Sequence, residues 1–292
     1  MEIKAQHIFV CSLMFLLSGC TQFFFQPLKQ HLASPEQYEI NYEDIYFEGE
    51  AGKLHGWWFP SQQAVAQPGI QPVMSSTRSS TRLSTRATVL FLHGNGENIS
   101  THAGLIYWLT EYQYDVFIFD YRGYGKSEGS AQLAGVLNDI SSARRYVESR
   151  KGTKKLFVVG HSLGASLAVT NMAMDKASVD GMILVSPFSD FKKITREMMS
   201  KSWITWAFQW PISLTINDEY NPLEFVAKLP SVPKLFVYSE SDPVISPQHV
   251  QRLYAKAEKP KSIERVNGGH NSVFAQTENQ QMILNYLNQW SK

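Results

Sequence analysis

Cysteine is nearly absent: two of 292 residues, Cys11 and Cys20, both lie within the first twenty. A disulfide framework is thereby excluded for the body of the chain, whose fold has to rest on core burial. Charge of one sign is missing too. Lys and Arg number 27 against 26 Asp and Glu, a formal net charge of +1, which gives no footing for nucleic acid or another polyanion as partner. Beyond the N-terminus no apolar run is long enough to span a bilayer. No cluster of His, Cys and carboxylates stands at ligand spacing, so neither a metal nor a cofactor is expected. What is present is 43% hydrophobic residues, enough for one large globular domain.

The first twenty residues read as an export signal. A short region with Lys4 precedes an apolar run from Ile8 to Leu17, broken only by Cys11 and Ser12, and small residues Ser18 and Gly19 follow. Leu17-Ser18-Gly19-Cys20 resembles the bacterial lipobox, in which cleavage leaves the cysteine as a lipidated N-terminus; a plain secretory signal is the competing reading. The resemblance implies a signal over 1–19, lipid on Cys20 and a membrane-proximal tether over 20–37 in the cell envelope. Several acyl chains on one cysteine would hold it firmly. Thr21 in place of Asp favours the outer membrane where there are two. Phe23-Phe24-Phe25 could rest among lipid headgroups or pack on the domain.

Ile40 to Phe47 and Lys53 to Phe59 read as an antiparallel edge pair. Residues 62–86 differ in kind. Ser76-Thr77-Arg78, Ser80-Thr81-Arg82 and Ser84-Thr85-Arg86 repeat every four residues and can bury no core, so a solvated, mobile insertion is expected. From Thr88 the rhythm is regular: Thr88–Leu92, Asp115–Phe119, Lys155–Val159, Gly181–Val185, Lys234–Tyr238 and Lys261–Val266 read as strands, with helices such as Ala131–Ser149 and Thr277–Trp290 beside them. Alternating βα units imply a mostly parallel sheet covered on both faces.

Gly160-His161-Ser162-Leu163-Gly164 sits between one such strand and a helix. Small residues on both sides let the turn be sharp enough to expose the Ser162 hydroxyl; the bland alternative is a helix N-cap. A serine nucleophile needs a base, and the base needs an acid to orient it. Asp242 follows the strand ending at Tyr238 and His270 follows the strand ending at Val266, so both stand beyond the carboxyl ends of strands, where parallel sheets bind ligands. Glu240 is the rival acid.

Leu90-Phe91-Leu92-His93-Gly94-Asn95-Gly96, Asp120-Tyr121-Arg122-Gly123-Tyr124-Gly125-Lys126-Ser127 and Gly160-His161-Ser162-Leu163-Gly164 together resemble the α/β-hydrolase superfamily, nearest its serine aminopeptidase-like and bem-type branch, over about Tyr42 to Trp290. The resemblance implies a domain over 38–292 and favours Asp242 as the acid. It implies an oxyanion hole made by the backbone N–H groups of Leu163 and Asn95, and a bracing role for His93. It also has Arg122 and Tyr124 shaping the pocket, and a small helical lid over about 190–221. Trp203, Trp206, Phe208 and Trp210 would either face inward, giving an apolar acyl pocket, or fill the lid's own packing.

The expected protein is thus a serine hydrolase with catalytic Ser162, Asp242 and His270, acting on ester, thioester or lipid acyl bonds of a small-molecule or lipid substrate. Amide hydrolysis of the peptidase type is the alternative. A catalytically idle, envelope-anchored binding module is the rival from another class. Oligomeric state is not readable.

Overall fold

The structure, a computed structural model, describes residues 24–62, 85–151, 155–176 and 178–292. The expected signal, Cys20 and insertion residues 63–84 lie outside them. Eight strands form one sheet: β1 (Glu43–Gly49), β2 (Gly52–Phe59), β3 (Ala87–Leu92), β4 (Tyr114–Phe119), β5 (Lys155–His161), β6 (Gly181–Val185), β7 (Lys234–Ser239) and β8 (Lys261–Val266). Their spatial order is β1-β2-β4-β3-β5-β6-β7-β8. The β1–β2 and β2–β4 pairs are antiparallel and the rest parallel.

The helices are α1 (Ile99–His102), α2 (Leu133–Lys151), α3 (Leu163–Met174), α4 (Phe191–Ser200), α5 (Trp203–Trp206), α6 (Gln209–Leu214), α7 (Pro222–Phe225), α8 (Pro247–Lys256) and α9 (Thr277–Trp290). Strand side chains alternate between the two faces of a sheet, and the central strands are apolar on both. Leu90, Phe117, Val158 and Leu184 join α2 and α3 through Val136, Ile140 and Leu167. Val89, Val116, Val159 and Ile183 face the other way and pack on α9 through Ile283 and Leu287. Continuous apolar runs such as Lys155–Val159 are therefore buried strands.

The edge hairpin starts three residues later than the sequence predicts and runs to Gly49, paired with Gly52 across a two-residue turn. Gly52 stands at φ +125°, and a Cβ there would strike Glu128 Oε2 at 2.2 Å, which explains why glycine ends the turn.

From Phe24 on, the segment expected as a tether is laid against the domain. Phe24 and Phe25 are buried, and Phe24 meets Phe191 edge-on with ring centroids 4.8 Å apart. Leu28 N–H donates to Glu97 O and Gly125 N–H to Leu28 O. His31 Nε2 lies 3.0 Å from Asp120 Oδ2. Of the expected insertion, Gln62 N–H donates to Thr110 O and the Arg86 guanidinium reaches Asn288, so both ends are fastened.

Candidate active site

β5 is buried from Leu156 to His161 and turns into α3 at Ser162, whose φ of 53° and ψ of −117° lie in a region L-residues rarely adopt. A non-glycine residue held there marks a strained functional turn. Its flanks have no room for side chains: a Cβ on Gly160 would meet Ala165 Cα at 2.5 Å, and one on Gly164 would meet Leu92 O at 2.1 Å. Ser162 N–H donates to Val185 O at 2.9 Å. The cap of α3 uses no side-chain hydrogen bond, so the Ser162 hydroxyl is not spent on capping.

Asp242 and His270 come together from two loops. His270 Nδ1 donates to Asp242 Oδ2 at 2.8 Å. Asp242 Oδ1 accepts the N–H groups of Val244 at 2.8 Å and Ile245 at 2.9 Å, and the carboxyl is 1% exposed. Burial pushes its pKa up, but the hydrogen bond and charge of His270 and the two backbone donors outweigh that and bring it down to about 2. Glu240 points away and meets Arg265 on the surface at 3.3 Å. Ser186 Oγ donates at 2.9 Å to Asp242 Oδ2, the oxygen that also accepts from His270; sequence reasoning missed it, and its one signal is its place just past the end of β6.

Ser162 and His270 line one cavity of about 450 Å³ with Gly94, Asn95, His161 and Gln26. Among the described residues no hydrogen bond joins Ser162 Oγ to His270, a spacing common where no substrate draws the pair together.

Asn95 lines the same cavity. Its side-chain oxygen accepts from Gly96 N–H (2.7 Å), Gln26 N–H (2.9 Å) and Tyr124 OH (3.1 Å), which fixes the loop carrying the Asn95 backbone N–H. Leu163 N–H is at the first position of α3, where helical donors lack intrahelical acceptors. Tyr124 thus acts on the cavity through Asn95, while Gln26 both lines it and holds Asn95. The expectation that Arg122 shapes the pocket is corrected: its guanidinium is bound to Asp139 of α2 at 2.7 Å and to Glu50, because a buried guanidinium requires a carboxylate.

Three histidines frame the site, His93 and His161 buried and His102 half-buried. His161 Nε2 donates to His270 O at 3.0 Å, and burial, then the nearby His270 and His102, push it down to about 3. His93 donates from Nδ1 to Gly94 O at 2.8 Å and stacks on Tyr121 with centroids 4.1 Å apart. Burial and His102 push it down to about 3 as well, so it braces the loop as a neutral ring. His102, which also lines the cavity, is lowered mainly by burial.

Away from the cavity, His31, His55 and Asp120 converge from three segments far apart in sequence. His55 Nδ1 lies 3.2 Å from Asp120 Oδ2 and its Nε2 2.6 Å from Asp44 Oδ1. Burial raises the Asp120 pKa, but hydrogen bonds from His31, His55 and Ile99 N–H hold it well below the usual carboxylate range.

The segment expected as a lid departs from both readings of its aromatics. Trp203, Trp206, Phe208 and Trp210 neither face the cavity nor fill the lid; all four are exposed. The inward positions of α5 and α6 are taken instead by Thr205, Gln209, Ile212 and buried Ser213.

The family described as serine aminopeptidase, S33 matches residues 84–221. The uncharacterized protein YfhR of Escherichia coli O157:H7 is 30% identical over 259 residues, covering 87% of this chain and 81% of YfhR. A lysophosphatidylserine lipase, ABHD12 of Danio rerio, is 32% identical over 186 residues, covering 60% of this chain and 48% of that protein. The Pyrococcus furiosus esterase Pf2001 shares the fold, with TM-score 0.69, 20% identity, and coverage of 91% of this chain and 100% of that one. A sharp serine turn at the centre of a mostly parallel sheet, and a relative matched along most of its length, lead to one family: the chain belongs to the α/β-hydrolase superfamily.

Proposed function

We propose that this protein is a serine hydrolase that cleaves carboxylic ester, thioester or lipid acyl bonds through an acyl-enzyme. The observation that carries the reading is the Asp242–His270 hydrogen bond opening onto the cavity that exposes Ser162. Ser162 Oγ attacks the carbonyl carbon while His270 Nε2 takes its proton. The oxyanion accepts from the N–H groups of Leu163 and Asn95. His270 returns the proton to the leaving oxygen or sulfur, the C–O or C–S bond breaks, and water repeats the sequence to release the acid. Asp242, ionised down to about pH 2, keeps the imidazole in the working tautomer. The name of the ABHD12 relative, a lysophosphatidylserine lipase, supports the lipid end of this substrate range.

A fluorophosphonate, which mimics the tetrahedral intermediate, is expected to label purified protein on Ser162, with turnover across esters of graded chain length exceeding that of peptide amides. A folded protein that takes no label and hydrolyses no ester would be a binding module; amides outpacing esters would make it a peptidase.

We also propose that Cys20 is lipidated and holds the protein in the cell envelope, at the outer membrane where there are two. The support is the Leu17-to-Cys20 pattern. Cys20→Ala is expected to shift the protein from the membrane to the soluble fraction or leave an uncleaved precursor. Wild-type protein without a mass increment on Cys20 would end this reading.

A further inference from the structure

The α5–α6 hairpin is built inside out. Among its large side chains Trp203 is 89% exposed, Leu214 74%, Ile204 63%, Trp210 62% and Trp206 60%, while Ser213 is fully buried. A helix meeting water shows the reverse pattern. The polar side chains are spent inward: Thr205 Oγ1 donates to Met199 O at 2.7 Å and Ser213 Oγ to Trp210 O at 3.0 Å. No residue from Ser202 to Asn217 is charged. With side-chain areas of about 150–250 Å² per aromatic, the exposed apolar surface is on the order of 900 Å², beyond the roughly 300–600 Å² of an ordinary largest patch.

We propose that this hairpin docks the protein onto a lipid bilayer, its aromatic rim sunk to the depth of the headgroups. Three tryptophans within eight residues suit that depth, where the indole body meets hydrocarbon and its N–H meets water. Charge agrees. Arg196 of α4 meets no carboxylate among the described residues; its guanidinium sits over the Trp210 ring at 4.8 Å and donates to Ser213 Oγ at 3.4 Å, whereas Lys201 Nζ is held by the carbonyls of Pro243 and Val244. Arg196 is placed for an anionic headgroup. The path of the chain agrees as well. The first described residue, Phe24, packs on Phe191 at the start of α4, the helix on which the hairpin folds. The described chain therefore begins beside α4, with Cys20 four positions earlier in the sequence. The hairpin and the proposed anchor address one membrane, and the docking holds whether or not Ser162 is a nucleophile.

The test uses the full chain in vesicles of phosphatidylethanolamine and phosphatidylglycerol with brominated acyl chains, against unbrominated controls. Brominated lipid is expected to quench about two fifths of tryptophan emission, the share of three in seven tryptophans. The variant carrying Trp203→Ser, Trp206→Ser and Trp210→Ser together should lose that quenching while staying vesicle-bound through its N-terminus. Wild-type emission untouched by brominated lipid overturns the proposal. If acrylamide then quenches it, the hairpin is in water; if not, a second copy or the chain's own N-terminal segment covers it. Equal quenching in the triple variant also overturns it. Should that variant fail to fold, the wild-type comparison still decides.

Discussion

Ser162→Ala is expected to lower ester turnover by on the order of 10⁴–10⁶-fold, to what binding and the oxyanion donors alone supply. The hydroxyl is exposed to the cavity and engaged by no other group among the described residues, so the unfolding temperature should stay within about 2 °C. His270→Ala should cost nearly as much, because an unassisted serine hydroxyl is a weak nucleophile. Asp242→Asn should cost on the order of 10³–10⁴-fold by releasing the imidazole from its working tautomer. Ser186→Ala removes one of the hydrogen bonds on Asp242 and should cost about tenfold. Glu240→Gln, on the surface beside Arg265, should cost nothing. Steady-state kinetics on one short ester, with thermal melts of each variant, measures all five. A folded Ser162→Ala protein with undiminished ester turnover would place the chemistry elsewhere. Equal losses at Glu240 and Asp242 would undo the assignment of the acid.

The sheet was legible in the sequence because its interior strands are buried on both faces, which demands unbroken apolar runs such as Leu156–Val159 and Met182–Val185. The positions of Ser162, Asp242 and His270 were legible for a related reason: each stands just past a strand end, so strand ends predict them. Contacts between distant segments left no such trace. Gln26 reaches Asn95 across 69 residues and His31 reaches Asp120 across 89, and nothing local marks either partner. Arg122 was misread because a buried charge follows its carboxylate, and Asp139 lies on a helix behind the loop. The lid aromatics were misread by the ordinary premise that large apolar side chains turn inward; the hairpin breaks that premise at its exposed aromatics, the inward positions being taken by Thr205, Gln209, Ile212 and Ser213.

Acid should unfold this protein well before its carboxylates titrate. His93 and His161 are buried and held down to about 3, against an ordinary value near 6.5. Burial is the main cause for both. His102 pushes in the same direction on each and His270 on His161, while Asp120 beside His93 and Asp242 beside His161 pull the other way without prevailing. The unfolded chain therefore takes up two protons below pH 6.5 that the folded chain refuses. Stability is full above pH 6.5 and falls as pH drops toward 3. Each group contributes about 1.4 kcal/mol per pH unit inside that window, so from pH 6.5 to 4.5 the pair removes roughly 5 kcal/mol. That is comparable with the whole stability of many domains, about 5–15 kcal/mol. His102 and His249, also lowered by burial, add in the same direction. Asp242, lowered to about 2, works in a separate window, its contribution lost only as pH falls below the ordinary carboxylate value. Urea unfolding at half-unit steps from pH 7 to 4.5 reads the slope directly, and His161→Gln, which keeps a donor toward His270 O, should reduce it by about one proton. A flat profile between pH 6.5 and 5 would mean that the folded protein protonates these rings as readily as the unfolded chain does, and that the two histidines do not frame the site as neutral braces.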